Sequence, residues 1–499
     1  MRGRTDKLKM ETYFQSTRSD IRVSAAEAVL DGLAPDGGLF VDPALPEREF
    51  DWQDCLELSE LGMAERILDF LLPGFDDMGA LVSRAYTGKF DNERLAPLVD
   101  CGEVHIMELF HGPTSAFKDV ALSMLPQLVT AARGQLNIAE DIFILTATSG
   151  DTGKAALAGF HDVPGTGIIV FYPEGGVSPV QRAQMVTQEG ANVRVCAVKG
   201  NFDDCQRGVK AAFAALGTAA QGKRLSSANS INIGRLAPQV IYYFSAYAQL
   251  IADGSIKRGE KVDFIVPTGN FGDILAGYYA RLMGLPVGRL VCAANENSVL
   301  RDFIASGTYD ARRPFVRTSS PSMDILVSSN LERLLYFASG RDTAAVRRWM
   351  DELQKSGTYT VDAATHTAIR EVFSAGSADE AATRAAIAEL YYACDYLMDP
   401  HTAVAYSVFK DYRKSDEYTG NRCVVLSTAS PFKFPAAVLE AVGGDTSGDE
   451  FSQMEELSRM TGRAIPKNLA ELREKAEVHR TAIEKDGILD YVKTALGEG

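Results

Sequence analysis

The stretch His111-Gly112-Pro113-Thr114-Ser115-Ala116-Phe117-Lys118-Asp119 opens onto the apolar run Val120-Ala121-Leu122-Ser123-Met124-Leu125, and its reading decides the fold. A Gly-Pro pair followed by small polar residues is a turn, and Thr114 or Ser115 is placed to cap the helix that follows. Lys118 then falls in the first helical turn, partly out of water and beside the positive end of the helix dipole. Both effects disfavour the ammonium, and a neutral lysine amine is the nucleophile that Schiff-base chemistry needs. A lone lysine at a helix start is usually an ordinary solvated one. The surrounding segments decide between the two readings.

Working outward, the chain repeats strand, turn, helix. Ile142–Ala147 is a β-branched apolar run, and Thr148-Ser149-Gly150-Asp151-Thr152-Gly153 opens a helix from Lys154. Ile168–Tyr172 is the next strand, with Pro179 at the favoured first position of its helix. Val193–Val198 leads into a helix over Asp204–Leu216, and Arg235–Ala252 reads as one long amphipathic helix. Val262–Val266 runs into Pro267-Thr268-Gly269-Asn270-Phe271-Gly272-Asp273 and a helix to Met283. Leu290–Ala294 and Cys423–Ser427 complete the strands. Such alternation, with nearly continuous apolar strands, predicts an α/β fold with parallel-rich sheets covered by helices. Ligands gather where strand C-termini meet helix N-termini, and Lys118, the 148–153 turn, the 267–273 turn and Thr428 all lie at such junctions.

Three units are expected: 1–95, built of short strands and helices; 96–440, two α/β subdomains with the site between them; and 441–499, a charged helical tail after Gly443-Gly444 that packs on the surface. The balance of 51 basic against 66 acidic residues, net −15, argues against nucleic acid or an anionic membrane as the main partner. Any anionic substrate must then be held by local dipoles and a few placed cations. No apolar run approaches a membrane span. The seven cysteines are scattered without a CxxC pair and read as reduced thiols of a cytoplasmic protein; the six histidines are dispersed, so no metal site is expected. Residues 1–9 are basic and lack the apolar run of a secretory signal.

The junction blocks resemble those of the threonine synthase family, in its bacterial and fungal form. The resemblance rests on His111–Asp119, Thr146-Ala-Thr-Ser-Gly-Asp-Thr-Gly153, Ser227-Ala-Asn-Ser-Ile-Asn232 and Thr268-Gly-Asn-Phe-Gly-Asp273. It continues through Met323-Asp324-Ile325, Val327–Asn330, Asp399-Pro-His-Thr-Ala-Val404 and Thr428-Ala-Ser-Pro-Phe-Lys-Phe434. It implies a fold-type II, tryptophan synthase β-like enzyme that uses pyridoxal 5'-phosphate to turn O-phospho-L-homoserine and water into L-threonine and phosphate. The implied roles are Lys118 as Schiff-base lysine and proton shuttle, and Gly269, Asn270, Phe271, Gly272 and Asp273 around the cofactor phosphate, where helix-start amides supply positive charge. Thr428 would bond the pyridine nitrogen, and Ser149, Gly150, Asp151 and Thr152 would hold the substrate carboxylate. Asn229, Asn232 and Arg235 would lie on the substrate-phosphate side. Asp273 could equally cap its helix, His111 and His401 could be structural, and Lys433 could be a salt-bridge residue.

One departure stands out: Ser430 and Phe432 occupy positions where the family typically has a histidine and a small residue. It keeps open a phospho-lyase that releases 2-oxobutanoate. A hydroxy-amino-acid dehydratase fits the blocks less well, and a non-catalytic cofactor-binding protein is opposed by the intact lysine and phosphate turn. A monomer or homodimer without strong allosteric activation is expected.

Overall fold

The computed structural model describes residues 12–148, 150–216, 219–220 and 222–497. The N-terminal unit is a small antiparallel sheet of Phe14–Ser16, Arg22–Val23 and Phe40–Val41, followed by helices over Glu60–Leu71 and Met78–Tyr86. From there the chain runs β1 (Leu98–Asp100), β2 (His105–Glu108), α1 (Lys118–Gln135), β3 (Asp141–Ala147) and α2 (Asp151–Phe160). It continues as β4 (Thr166–Pro173), α3 (Pro179–Val186), β5 (Val193–Lys199), α4 (Phe202–Leu216), β6 (Ala219–Ala220) and β7 (Lys223–Ser226). Next come α5 (Ile233–Leu236), α6 (Val240–Ala252), β8 (Val262–Pro267), α7 (Gly272–Leu282) and β9 (Val287–Ala294). The last pieces are β10 (Phe373–Ser377), α8 (Pro400–Tyr412), β11 (Arg422–Ser427), β12 (Thr481–Glu484) and α9 (Ile488–Leu496).

Two six-stranded sheets result, in the orders β12-β5-β4-β3-β7-β6 and β10-β9-β8-β11-β2-β1. Pairing is parallel except where the short edge strands β6 and β1 join. Every residue of β4 and of β8 is buried, as helix-covered parallel strands require. Each such Val or Ile contributes about 1.5–3 kcal/mol by leaving water. Ser178 caps α3 with Pro179 at its first position, and Gln181 completes a capping box. All seven cysteines are free.

The structure corrects several local expectations. Helix α1 begins at Lys118 without a side-chain cap from Thr114 or Ser115. Instead the Asp119 carboxylate folds back, accepting from the Thr114 N–H at 2.8 Å and the Thr114 hydroxyl at 2.5 Å. Gly112 makes room for this, because a Cβ there would lie 2.4 Å from that of Asp119. Helix α2 starts at Asp151, a turn earlier than expected, so Asp151 is inside it. The expected helix over 235–252 is three pieces: α5, a 3-10 turn Ala237–Gln239 carrying Pro238, and α6. Proline lacks the N–H an unbroken helix needs, and residues 240–247 are buried all round instead of on one face. The tail is helical only in part. Its β12 adds a parallel edge strand to β5, and Ile488, Val492 and Leu496 at four-residue spacing seal α9 into the core.

Candidate active site

Lys118, 9% exposed, stands at the start of α1. Its Nζ donates to Ser322 Oγ at 3.4 Å and lies 3.7 Å from Asp151 Oδ2 and 4.7 Å from the centre of the Phe117 ring. Burial lowers the pKa of its ammonium and outweighs Asp151, while the Lys433 and Arg235 charges push it down further. The fully buried Lys433 takes the better position on Asp151, 2.6 Å from Oδ1, and donates to the Thr114 carbonyl at 3.2 Å. Burial opposes the Asp151 charge, yet Lys433 and Lys118 hold its carboxyl far below the ordinary range. Gln181 Nε2 at 3.0 Å and Ser322 Oγ at 3.3 Å fill its remaining positions. Asp151, expected on the substrate carboxylate, is thus already engaged on both oxygens as counter-ion of two lysines. Lys433 is a salt-bridge residue, and a central one.

The lysine turn is stitched to the end of β11. The Phe117 N–H donates to the Thr428 carbonyl at 2.9 Å, Ala116 bridges Ala429, and the Ser430 N–H donates to the Ser115 carbonyl at 3.1 Å. This places buried Thr428 one peptide from the lysine helix. Ser430 accepts from the Phe432 N–H at 3.4 Å, and Phe432 is buried in the core beneath. Ser115 adopts a left-handed backbone, φ 58°, unusual for a side chain with a Cβ. It is held there by the tail: Asn468 Nδ2 donates to the Pro113 carbonyl at 2.8 Å and pairs with Ser115 Oγ at 3.0 Å.

The 269–272 turn opens α7. Phe271 is left-handed at its N-cap, φ 63°, so the first helical amides come from Gly272 onward. Backbone packing demands glycine at 269, where a Cβ would be 2.5 Å from the Ser322 carbonyl oxygen. The Gly269 carbonyl accepts from Ser328 Oγ at 2.8 Å and the Asn270 carbonyl from the Asn330 N–H at 3.1 Å, which ties the turn to 328–330. Asp273 does not cap the helix. It lies within the first turn, where Oδ1 accepts from the Tyr242 hydroxyl at 2.5 Å and the Tyr243 hydroxyl at 3.2 Å, while Oδ2 is buried without a partner. Burial pushes its carboxyl up to about 7 against those hydrogen bonds and the Lys118 charge.

Gly150 and Gly153 point their N–H groups at Thr148 Oγ1, at 3.0 and 2.8 Å, which shapes the turn that carries Gly150 and Thr152. Ser149 lies outside the described residues. Asn232 is consumed structurally: its Oδ1 caps α5 and its Nδ2 donates to the Val29 carbonyl at 2.8 Å. Asn229 is half-buried and its own N–H is held by Ser227 Oγ at 3.2 Å. Arg235 is 3% exposed, its guanidinium donates to the Ala228 carbonyl, and its Nε is buried without a partner. Burial lowers its pKa to about 10. A buried guanidinium with no acid among the described residues is a ready place for an anion. His111 lies between Asp91 at 2.6 Å and Glu108 at 2.9 Å; burial lowers its pKa, but the bonds to Glu108 and Asp91 outweigh it and raise it overall. His401 Nε2 accepts from the Ser322 N–H at 3.1 Å and its Nδ1 meets Asp399 Oδ2 at 2.6 Å.

Sequence reasoning missed Ser322 and Asn468. Ser322 adjoins the Met323-Asp324-Ile325 block, which could have flagged it; Asn468 sits in a charged tail with no local signal at all.

Residues 89–429 match the family described as "Pyridoxal-phosphate dependent enzyme", a span that takes in every junction from Lys118 to Thr428. Residues 13–100 match "Threonine synthase N terminus" and 402–484 match "Threonine synthase, C-terminal". The chain belongs to the threonine synthase family. It is 40% identical to the threonine synthase of Pseudomonas aeruginosa, over 90% of this chain and 91% of that one. The crystal structure of the PLP-bound threonine synthase from Brucella melitensis superposes with a TM-score of 0.84 at 37% identity, covering 97% of this chain and 99% of that one; the yeast threonine synthase gives 0.86 at 33%, covering 98% and 99%. The "Threonine synthase-like 1" of Homo sapiens is 38% identical over 84% of this chain, which spans 58% of that protein's length.

The residues present fit pyridoxal phosphate: a buried amine whose ammonium is disfavoured, a glycine-demanding turn at a helix start, and a strand-end threonine. No helix among the described residues is long and apolar enough to cross a membrane.

Proposed function

We propose that this chain converts O-phospho-L-homoserine and water into L-threonine and phosphate. The observation that carries the reading is Lys118, a buried amine held 3.7 Å from a carboxylate that Lys433 has already neutralised. Burial disfavours its ammonium and so favours the form with a proton-accepting lone pair. When bound, pyridoxal phosphate supplies the electron sink that makes the substrate's Cα and Cβ protons removable. Lys118 Nζ takes and returns those protons. The amides at the start of α7 hold the cofactor's phosphate, the Gly150–Thr152 turn receives the substrate carboxylate with Ser149, and Thr428 meets the cofactor ring. Arg235, with Asn229 on the same side, receives the substrate phosphate that leaves Cγ, before water adds at Cβ. In this reading Asp151 sets the charge of the lysines and Asn232 shapes the backbone. The working units are 1–95, 96–440 and 441–499, and the enzyme acts in the cytoplasm as a monomer or homodimer.

Ser430 and Phe432 support one alternative, a phospho-lyase, because they replace side chains beside the cofactor-ring position and tie directly to the lysine turn through Ser115. Assaying phosphate, threonine and 2-oxobutanoate together from O-phospho-L-homoserine separates the two. Phosphate matched by threonine supports the synthase; phosphate matched by 2-oxobutanoate replaces it with the lyase; no phosphate release rejects both.

A further inference from the structure

Ser322 is the point where four parts of the site touch. Its hydroxyl lies 3.4 Å from Lys118 Nζ and 3.3 Å from Asp151 Oδ2, closer to the amine than Asp151 itself at 3.7 Å. Its carbonyl oxygen backs onto Gly269 of the turn that opens α7. Its N–H donates to His401 Nε2 at 3.1 Å. A ring nitrogen that accepts a backbone N–H carries no proton, so the ring N–H of His401 lies on Nδ1 and is directed to Asp399. Asp399 is itself fixed by the His401 N–H at 2.9 Å and the Thr402 N–H at 3.2 Å. The short turn Pro321–Met323 is therefore pinned through its main chain, and the Ser322 hydroxyl is presented to the lysine by a rigid support.

The hydroxyl has one hydrogen, and Asp151 is its acceptor. Its oxygen is then free to accept an N–H from Lys118. We propose that Ser322 is a positioning residue for the free Lys118 amine, holding one N–H so that the nitrogen lone pair is turned away from Asp151 and left available for attack and proton transfer. Without the hydroxyl, the amine would close directly onto Asp151 as an ammonium, which has no lone pair. The inference rests on Lys118 being the working amine. It does not depend on which substrate is used.

The charged groups around Lys118 are Asp151, Asp119 and Asp273 on one side of the balance and Lys433 and Arg235 on the other, and none of them changes in Ser322→Ala. The test is competitive acetylation of full-length, cofactor-free protein with acetic anhydride from about pH 6 to about pH 10, a window chosen to bracket lysine titration. Lys118 is read by peptide mass against Lys467, whose side chain is 91% exposed, as internal standard. Ser322→Ala is expected to raise the labelling midpoint of Lys118 and to slow its labelling near neutral pH about tenfold, one pH unit's worth. Attachment of pyridoxal phosphate to Lys118, trapped with borohydride, slows by the same factor. Ser322→Thr restores both, and the thermal midpoints of the three proteins coincide. Labelling and trapping in Ser322→Ala that match the parent would overturn the proposal. So would a slowed Ser322→Ala that the hydroxyl of Ser322→Thr does not rescue. Loss of turnover with unchanged labelling would instead count against Lys118 chemistry as the slow step and would also reject the positioning role.

Discussion

Asp151 is shared unequally, 2.6 Å from Lys433 and 3.7 Å from Lys118, so the Lys118 ammonium has the weaker hold on the carboxylate. Removing Lys433 should invert it. In Lys433→Met the buried carboxylate keeps Lys118 as its only nearby lysine, so the Lys118 labelling midpoint rises and activity near neutral pH falls by about 100-fold, the scale of a lost acid–base function. The loss of one partner from a buried pair costs about 3–5 kcal/mol of stability, read by denaturant unfolding. Asp273 makes a different kind of statement. Burial pushes it up to about 7, so between its ordinary value and that point the folded protein holds a proton the unfolded chain releases. Its contribution is present at low pH and lost as pH rises, so Asp273→Asn should gain stability relative to the parent from about pH 4 to about pH 7, by on the order of 4 kcal/mol. Thermal unfolding of both proteins across that window checks the direction; a flat difference rejects it. The positions of Lys118 and Asp273 at turn-to-helix junctions were legible in the sequence, but the Tyr242 and Tyr243 partners of Asp273 were not. The pairing of Asp151 with Lys433 was not, since the two are 282 positions apart (433 − 151) and a lysine in the 428–434 block does not name its partner.

At the scale of elements, legibility followed burial. Strands β3, β4, β5, β8, β9 and β11 were readable as continuous apolar runs because helices cover both faces. Strand β12, Thr481-Ala-Ile-Glu, is mostly exposed at the sheet edge and carries no such run, so nothing in its residues announces a strand. The α5–α6 region misled for the opposite reason. Buried all round, it has no polar face to fix a period, and Pro238 divides it. The tail's reach into the site gives a prediction of its own. Asn468→Ala removes the donor to Pro113 and the partner of Ser115 Oγ, freeing a left-handed turn two residues before Phe117. Stability should fall by about 1–3 kcal/mol and kcat by about tenfold with KM little changed, since misplaced catalytic groups cost rate before binding. Steady-state kinetics with a parallel unfolding curve distinguish this from simple unfolding. An unchanged kcat would make the tail contact purely a matter of folding.

The whole molecule is held together by a few long connections between parts that sequence reads separately. Arg18 grips Glu332 with two hydrogen bonds, 2.8 and 2.7 Å, and Thr17 adds a third at 2.5 Å, docking the N-terminal sheet on the central body. Buried Arg333 next to it reaches the carbonyls of Phe40 at 3.0 Å and Ile231 at 2.6 Å. Glu332→Ala should therefore cost about 3 kcal/mol, in the range for breaking a buried pair. It should also make the N-terminal unit the first site of limited proteolysis while leaving Lys118 labelling at its parental midpoint. Cleavage elsewhere first would show that the unit is held by its apolar contacts alone. The overall α/β plan and the four junctions could be read from patterns in the chain. Which junction touches which could not, because that is decided by sheet order and by side chains hundreds of residues apart.

Ser115 and Asn468 are separated by 353 positions, and β12 follows Asn468 as the outermost strand beside β5. During synthesis the lysine turn thus leaves the ribosome long before the residue that holds it, and β5 waits with an open edge until β12 is made. An unfinished chain has the Lys118 turn without its final shape, and presents a row of unpaired backbone groups to any neighbouring chain. Competence waits on Asn468 and β12, and a nascent chain stalled before them is an aggregation hazard before it is an enzyme.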